Sequence, residues 1–221
     1  MEQKTKRILP PRLPKLGEME AVDEDALLEE LDGLSEVTLS GNSFAGQVAK
    51  GVVLKEARLR QVKLETSQLT EGRMSDARLD HCDLFNAEWF RASLERVELV
   101  ACRLMGWRAN TGRFRHVVFK DCNAQYAQFR FATFSGARFE DCNLSEADFH
   151  GSDLSGVVFR NCDLRGAEFV KAKLAGTDLR GCKVDGLKAD AEALRGVIVE
   201  PMQAVELLRC FGVVVRWEDE P

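Results

Sequence analysis

From Glu140 to Phe169 the chain reads EDCNLSEADFHGSDLSGVVFRNCDLRGAEF. Cut after Asp141, it becomes CNLSE, ADFHG, SDLSG, VVFRN and CDLRG, pentads with a small residue first and Leu or Phe third. Followed outward in the same frame, every fifth residue from Leu54 to Val184 is Leu, Phe, Met, Trp or Val at 25 of 27 positions; Ala109 and Ala124 are the exceptions. The residue two before it is Ala, Val, Cys, Ser, Thr or Gly at 26 of 27, with Trp107 the exception. The frame does not slip, and weaker pentads carry it back to Leu39 and on to Val199.

A period of five matches neither the 3.6 of a helix nor the 2 of a strand. It fits a chain that runs extended for a few residues and then turns. Along an extended side, residues two apart point the same way, so the large residue and the small one before it face inward together. Four such sides, one pentad each, close a square coil. Gly136, Gly151, Gly156, Gly166, Gly176, Gly181 and Gly186 take the last pentad position, where a corner favours positive φ.

Reading small–polar–large–polar–polar, the stretch from about Leu39 to Val199 resembles the pentapeptide repeat proteins, whose consensus is A(D/N)LXX. The resemblance implies an all-β solenoid, a right-handed quadrilateral β-helix of about eight coils. At ~4.8 Å per coil the rod would be about 40 Å long. The expected organisation is an N-terminal arm and capping helix over 1–36, the β-helix over 37–199, and a cap helix and strand over 200–221.

Cys82, Cys102, Cys122, Cys142, Cys162 and Cys182 recur once every four pentads at the small inward position, so they stack on one side of the coil. Free cysteine packs as a small hydrophobe. Zinc needs ligands that converge on one point, and a disulfide needs Cβ atoms about 3.5–4.5 Å apart with a crossed dihedral. Parallel side chains at ~4.8 Å offer neither. Six buried, reduced, metal-free thiols are expected, with Cys210 in the core of the C-terminal cap. The pattern gives no reason for Cys rather than Ala.

Open β-helix ends invite edge pairing and call for caps. DEDALLEELDG reads as a short helix from Asp23 to Leu31, with Asp23 as N-cap and Gly33 as stop. PMQAVELLRCFG opens on Pro201 and stops at Gly212, and VVVRW follows as a strand. Two readings stand for Leu207, Leu208, Phe211, Val213, Val215 and Trp217: a lid over the last coil, or a homodimer contact, since some members of the family pair through this segment. The arm from Pro10 to Pro14 is read as extended or mobile.

Trp107 and Ala109 exchange large and small within one pentad, a volume-conserving swap. Phe85, Phe90, Met105, Tyr126 and Phe131 take outward positions. They read either as a partner-binding patch or as side chains lying back on neighbouring coils. Arg103, Arg108, Arg113 and Arg130 belong to a basic waist, residues 91–130, whose eight Lys/Arg face three Asp/Glu. It reads either as a contact for an anionic partner or as arginine stems shielding the rod.

His81, His116 and His150 fall at different pentad positions, and no catalytic, metal or phosphate-loop motif appears. A rod packed solid with Leu and Phe leaves no substrate pocket. No catalytic residue, metal or cofactor is expected, and no small-molecule substrate. Asp83, Asp148, Asp153, Asp163 and Asp178 read as short acceptors for local backbone. The N-terminus has no apolar signal core and the chain has no apolar run long enough for a membrane helix, so a cytoplasmic protein without a membrane span is expected.

The expected function is that of a non-catalytic interaction or scaffold protein. The alternative comes from the resemblance: quinolone-resistance and mycobacterial members bind DNA gyrase, their acidic rods resembling duplex DNA. Residues 57–190 hold 21 Lys/Arg and 19 Asp/Glu, so the acid of this chain, net −5, lies in its ends. A near-neutral rod argues against mimicry of DNA, and direct nucleic-acid binding is not expected.

Overall fold

Each pentad forms one side of the coil, and the side chains fall as the period requires. In the computed structural model, which describes residues 7–216, the first and third pentad positions are buried from Val52 to Val184 with almost no break. The strands are β1 (Glu20–Ala21), β2 (Val37–Ser40), β3 (Val48–Lys50), β4 (Val53–Arg60), β5 (Gln68–Thr70) and β6 (Arg73–Asp80), followed by β7 (Ser93–Val100), β8 (Arg113–Lys120), β9 (Thr133–Ser135), β10 (Arg138–Glu140) and β11 (Val158–Arg160). Neighbours in the sheet run β1-β2-β4-β6-β7-β8-β10-β11, with β9 beside β8 and β3 paired to β5.

Within the repeat every rung is parallel and joins residues four pentads apart. Thr38 pairs with Arg58, Arg58 with Arg78, and the step continues through Val158, Asp178 and Ile198. This is a parallel β-solenoid of about seven turns, not eight. The frame is lost after Lys188, where residues 191–196 make turns, and only Ile198 rejoins the ladder.

The corners carry the backbone signature of the fold. The last residue of successive pentads has positive φ whether or not it is glycine: Asp76 (51°), His81 (53°), Arg96 (53°), Tyr126 (59°) and Phe131 (56°) alongside Gly136 (63°). An L-residue there costs roughly 1–2 kcal/mol, which the packing of the inward pairs offsets. The polar second position supports the corner. Asp83, Asp148, Asp153, Asp163 and Asp178 each accept the backbone N–H two residues on, at 2.9–3.1 Å, closing the local turn that favours short acids there.

The N-terminal cap differs from the expected helix. Only Leu28–Leu31 forms a turn of 3-10 helix. Side chains of the first coil claim the backbone a helix from Asp23 would need: Asn42 donates to the Asp23 carbonyl (2.7 Å) and Gln47 accepts the Leu28 N–H (2.7 Å). Leu28 and Leu31 plug the open end, and β1 covers its edge by pairing with β2.

At the other end α1 (Pro201–Leu208) starts on proline as expected. Buried Gln203 donates to the carbonyls of Leu179 (2.7 Å) and Cys182 (2.8 Å), satisfying groups the last coil leaves open. A 3-10 turn follows and ends at Gly212 in the left-handed region, φ 74°. Residues 213–216 form no strand; the Val213 N–H turns back to the Leu208 carbonyl (3.4 Å). Trp217 lies outside the described residues.

Candidate functional site

The interior is filled by stacked rings. Phe119 lies on Phe139 (centroids 4.4 Å, 4° between planes), Phe139 on Phe159 (4.9 Å, 4°), and Phe129 on Phe149 on Phe169 (5.1 and 5.0 Å). These separations match the rise of a coil. Trp107 crosses the core edge-to-face with Trp89 and Phe129, and the small residue Ala109 gives it room, confirming the swap. Beneath the N-terminal plug a cavity of about 30 Å³ is lined by Leu28, Leu31, Phe44 and Trp89 among others. That volume is far below the several hundred Å³ of a ligand pocket.

The six ladder cysteines are free and buried, and each of the first five has two backbone carbonyls in reach of its thiol. The Cys82 thiol lies 3.5 Å from the Leu59 carbonyl of the previous coil and 3.7 Å from the Asp80 carbonyl two residues before it, and Cys102, Cys122, Cys142 and Cys162 repeat both contacts at 3.4–3.6 and 3.2–3.4 Å. Ser152 and Thr177 make the previous-coil contact from other sides of the coil. The slot therefore takes a small side chain with a weak donor. Burial beside other thiols pushes the thiols of Cys102, Cys142 and Cys182 well up. Burial, which disfavours a thiolate, keeps the column protonated. Half-buried Cys210 packs against the core, its thiol 2.6 Å from the Leu187 carbonyl.

The outward aromatics do not form one patch. Phe85 and Met105 stack along one edge with Tyr126 a turn further on, whereas Phe90 and Phe131 belong to the next edge, one pentad on. Phe85, Phe90 and Met105 are half-buried; Tyr126 (54%) and Phe131 (59%) are exposed. The Arg103 guanidinium covers the Phe85 ring at 4.2 Å. Phe131 lies over Gly151, where a Cβ would come within 2.6 Å of the ring, and packs edge-on to His150.

The basic waist is largely neutralised by acids one coil away. Arg103 pairs with Asp83 (2.9 Å), Arg108 with Glu88 (2.5 Å) and Arg130 with Asp148 (2.5 Å). Arg113 is exposed, with no ion pair among the described residues. The sequence reading missed the most buried of these networks. Arg96 grips Asp76 with two bonds (2.6 and 2.7 Å) and also contacts Glu95, which Arg115 shares. The Arg96 guanidinium, helped by the Arg12 N–H, holds the Asp76 carboxyl below its ordinary range. Opposite charges four pentads apart were the available signal.

Of the cap residues, Leu207 packs into the rod (5% exposed). Leu208, Phe211, Val213 and Val214 are exposed, and Val215 is half-buried.

The model of the pentapeptide repeat region matches residues 72–149 and 92–169, and that of eight-copy pentapeptide repeats matches 50–86. The chain belongs to the pentapeptide repeat proteins. This pentapeptide repeat protein is similar to solved structures. A trypsin-treated form of QnrB1, a plasmid-mediated fluoroquinolone resistance protein, is 22% identical over 89% of this chain and 95% of that one, with a TM-score of 0.52. HetL of the cyanobacterium Nostoc sp. strain PCC 7120, involved in heterocyst differentiation regulation, is 23% identical over 76% and 87%, with a TM-score of 0.33. A thylakoid-lumen pentapeptide repeat protein of Arabidopsis thaliana is 23% identical over 50% and 74%, with a TM-score of 0.41. At these identities the likeness is one of fold. The sequence matches no curated protein. In this pentapeptide repeat protein no described helix is long and apolar enough to cross a membrane, and no group of three or more potential ligands gathers for a metal among the described residues.

Proposed function

We propose that this pentapeptide repeat protein is a non-catalytic interaction or scaffold protein. The supporting observation is how each coil divides its residues: the inward pair fills the core, while the charged groups lie outward and largely pair with acids or bases one coil away. Such a rod has no interior in which to bind a substrate, and a faceted exterior on which to bind a protein. Exposed Tyr126 and Phe131 are the apolar contacts on its edges, and Leu208, Phe211, Val213 and Val214 are those of a C-terminal homodimer face. A cytoplasmic, reducing setting belongs to the same reading and suits the seven free thiols.

The experiment is a comparison of partner capture by the wild-type chain and by Tyr126→Asp/Phe131→Asp. A protein retained by the first and lost by the second supports the reading; identical sets overturn it. Alongside it, purified gyrase is assayed for DNA supercoiling as the protein is titrated in, with and without a quinolone. Inhibition or protection at micromolar concentration would replace the scaffold reading with a topoisomerase-binding one.

A further inference from the structure

The N-terminal arm lies along the outside of the rod. It crosses the corner where Asp76, Arg96, His116, Gly136 and Gly156 stack one per coil. The Pro14 carbonyl accepts from the Arg58 guanidinium (3.3 Å), and the Arg12 N–H donates to Asp76 Oδ1 (2.9 Å). Further on, Arg7 and Ile8 border a cleft of about 400 Å³ whose other walls are Gly136, Gly156 and the charged side chains of Arg138, Arg160, Asp178 and Arg180. The spacing is consistent. The extended run from Arg12 to Ile8 reaches about 12 Å at ~3.1 Å per residue. Three coils from Asp76 to Gly136 rise about 14 Å at ~4.8 Å each.

The groove has the chemistry of a peptide site. Its floor is open at Gly156, where nothing lies within 4 Å of an added Cβ and another backbone can approach, while the His116 ring lies against Gly136. A charged acceptor and a charged donor stand one coil apart to receive a main-chain N–H and a carbonyl. The seated segment, Arg7–Leu16 (RILPPRLPKL), has prolines at 10, 11 and 14. Each fixes φ near −65°, so little conformational entropy is lost on docking, as in other modes of proline-rich recognition. Among the described residues two hydrogen bonds tie residues 7–16 to the coils, and Ile8, Pro11, Leu13 and Pro14 are half-buried.

We propose that this corner is a docking groove for an extended, proline-spaced segment carrying an arginine, presented by a partner protein, and that the chain's own arm occupies it in cis as an intramolecular competitor. The proposal rests on the interaction reading above and gives it a site, a partner chemistry and a means of regulation. A tethered competitor acts at an effective concentration in the millimolar range. The partner segment therefore binds weakly until the arm is released.

The test uses the full chain and a fluorescein-labelled peptide of residues 7–16, read by fluorescence anisotropy. Ile8→Lys/Arg12→Pro weakens the arm: the first change places a cation beside Arg138, Arg160 and Arg180, and the second removes the N–H that Asp76 accepts. This opened chain is expected to bind the peptide at least tenfold more tightly than wild type. Adding Arg58→Ala or, separately, Asp76→Ala to the opened chain should reverse that gain. Two groove variants are used because Asp76→Ala also strips Arg96 of its partner. Equal binding to the wild-type and opened chains, or binding indifferent to both groove variants, overturns the proposal. Either failure leaves the scaffold reading intact, since that depends on the capture and gyrase experiments.

Discussion

Phe149→Ala tests the packing most directly. Phe149 is fully buried. It stacks between Phe129 (5.1 Å) and Phe169 (5.0 Å) and meets Phe139 and Phe159 edge-on at 6.2 and 6.1 Å. Truncation removes its contacts with these four rings and with Phe134 (6.3 Å), and leaves a hole that the flanking coils, held by rungs above and below, cannot close. Phe→Ala in such a site costs about 3–5 kcal/mol. For a chain of this size each kcal/mol lowers Tm by about 2–4 °C, so a drop of about 6–20 °C is expected. Phe149→Asp adds an unpaired buried carboxylate and should fall further; Phe149→Leu, the residue found at Leu144, Leu154 and Leu164, should fall least. Thermal unfolding followed by circular dichroism reads all three. An Asp variant that melts within about 2 °C of wild type, a shift worth under about 1 kcal/mol, would refute the register itself.

Other outcomes follow from the same geometry. Native thiol titration should label none of the six ladder cysteines quickly; rapid labelling of several, or zinc co-purifying at fixed stoichiometry, would contradict the buried column. Cys142→Ser should keep the bond to the Phe119 carbonyl and melt close to wild type, whereas Cys142→Leu should overpack the slot by about 1–3 kcal/mol. The carboxyl of Asp76 titrates lower in the fold than in the unfolded chain, so its stabilisation is complete above about pH 4 and is lost as pH falls through the folded value. Urea midpoints at pH 6 and pH 3 should therefore differ less for Asp76→Asn than for wild type. If the cap pairs two chains, light scattering should give a dimer that Phe211→Asp/Val214→Asp converts to monomer; a monomeric wild type would remove that face from the proposed function.

The register was legible in the sequence because its two inward positions are chemically distinct, one small and one large, and because Trp107 and Ala109 compensate within a single pentad. The ends were less so. Asp23 and the acids after it look like a helix start, but the backbone they would organise is claimed by Asn42 and Gln47, which lie almost a full coil further along the chain. A local pattern does not record that competition. The reason for the cysteines was hidden in part for a similar cause: one of the two carbonyls each thiol reaches belongs to the previous coil, far upstream in the chain. The charge network was recoverable. Written with one coil per row, Asp83 sits over Arg103, Glu88 over Arg108 and Asp76 over Arg96. Counting charges along the waist without those rows gave a basic belt that the neighbouring coils largely cancel. The placement of the arm on its corner leaves no periodic trace at all.

The fixed step of four pentads also makes the rod a ruler. Inserting one whole coil, for example a second copy of residues 122–141, would move the C-terminal cap about 4.8 Å along the axis and leave every face pointing as before. Inserting a single pentad would turn the cap by a quarter revolution and scramble the pairing of Arg96 with Asp76 wherever it fell between them. Lineages of such a protein can thus change reach in increments of one rung while keeping orientation. The distance between two partners held on the same edge is quantised by the chain itself.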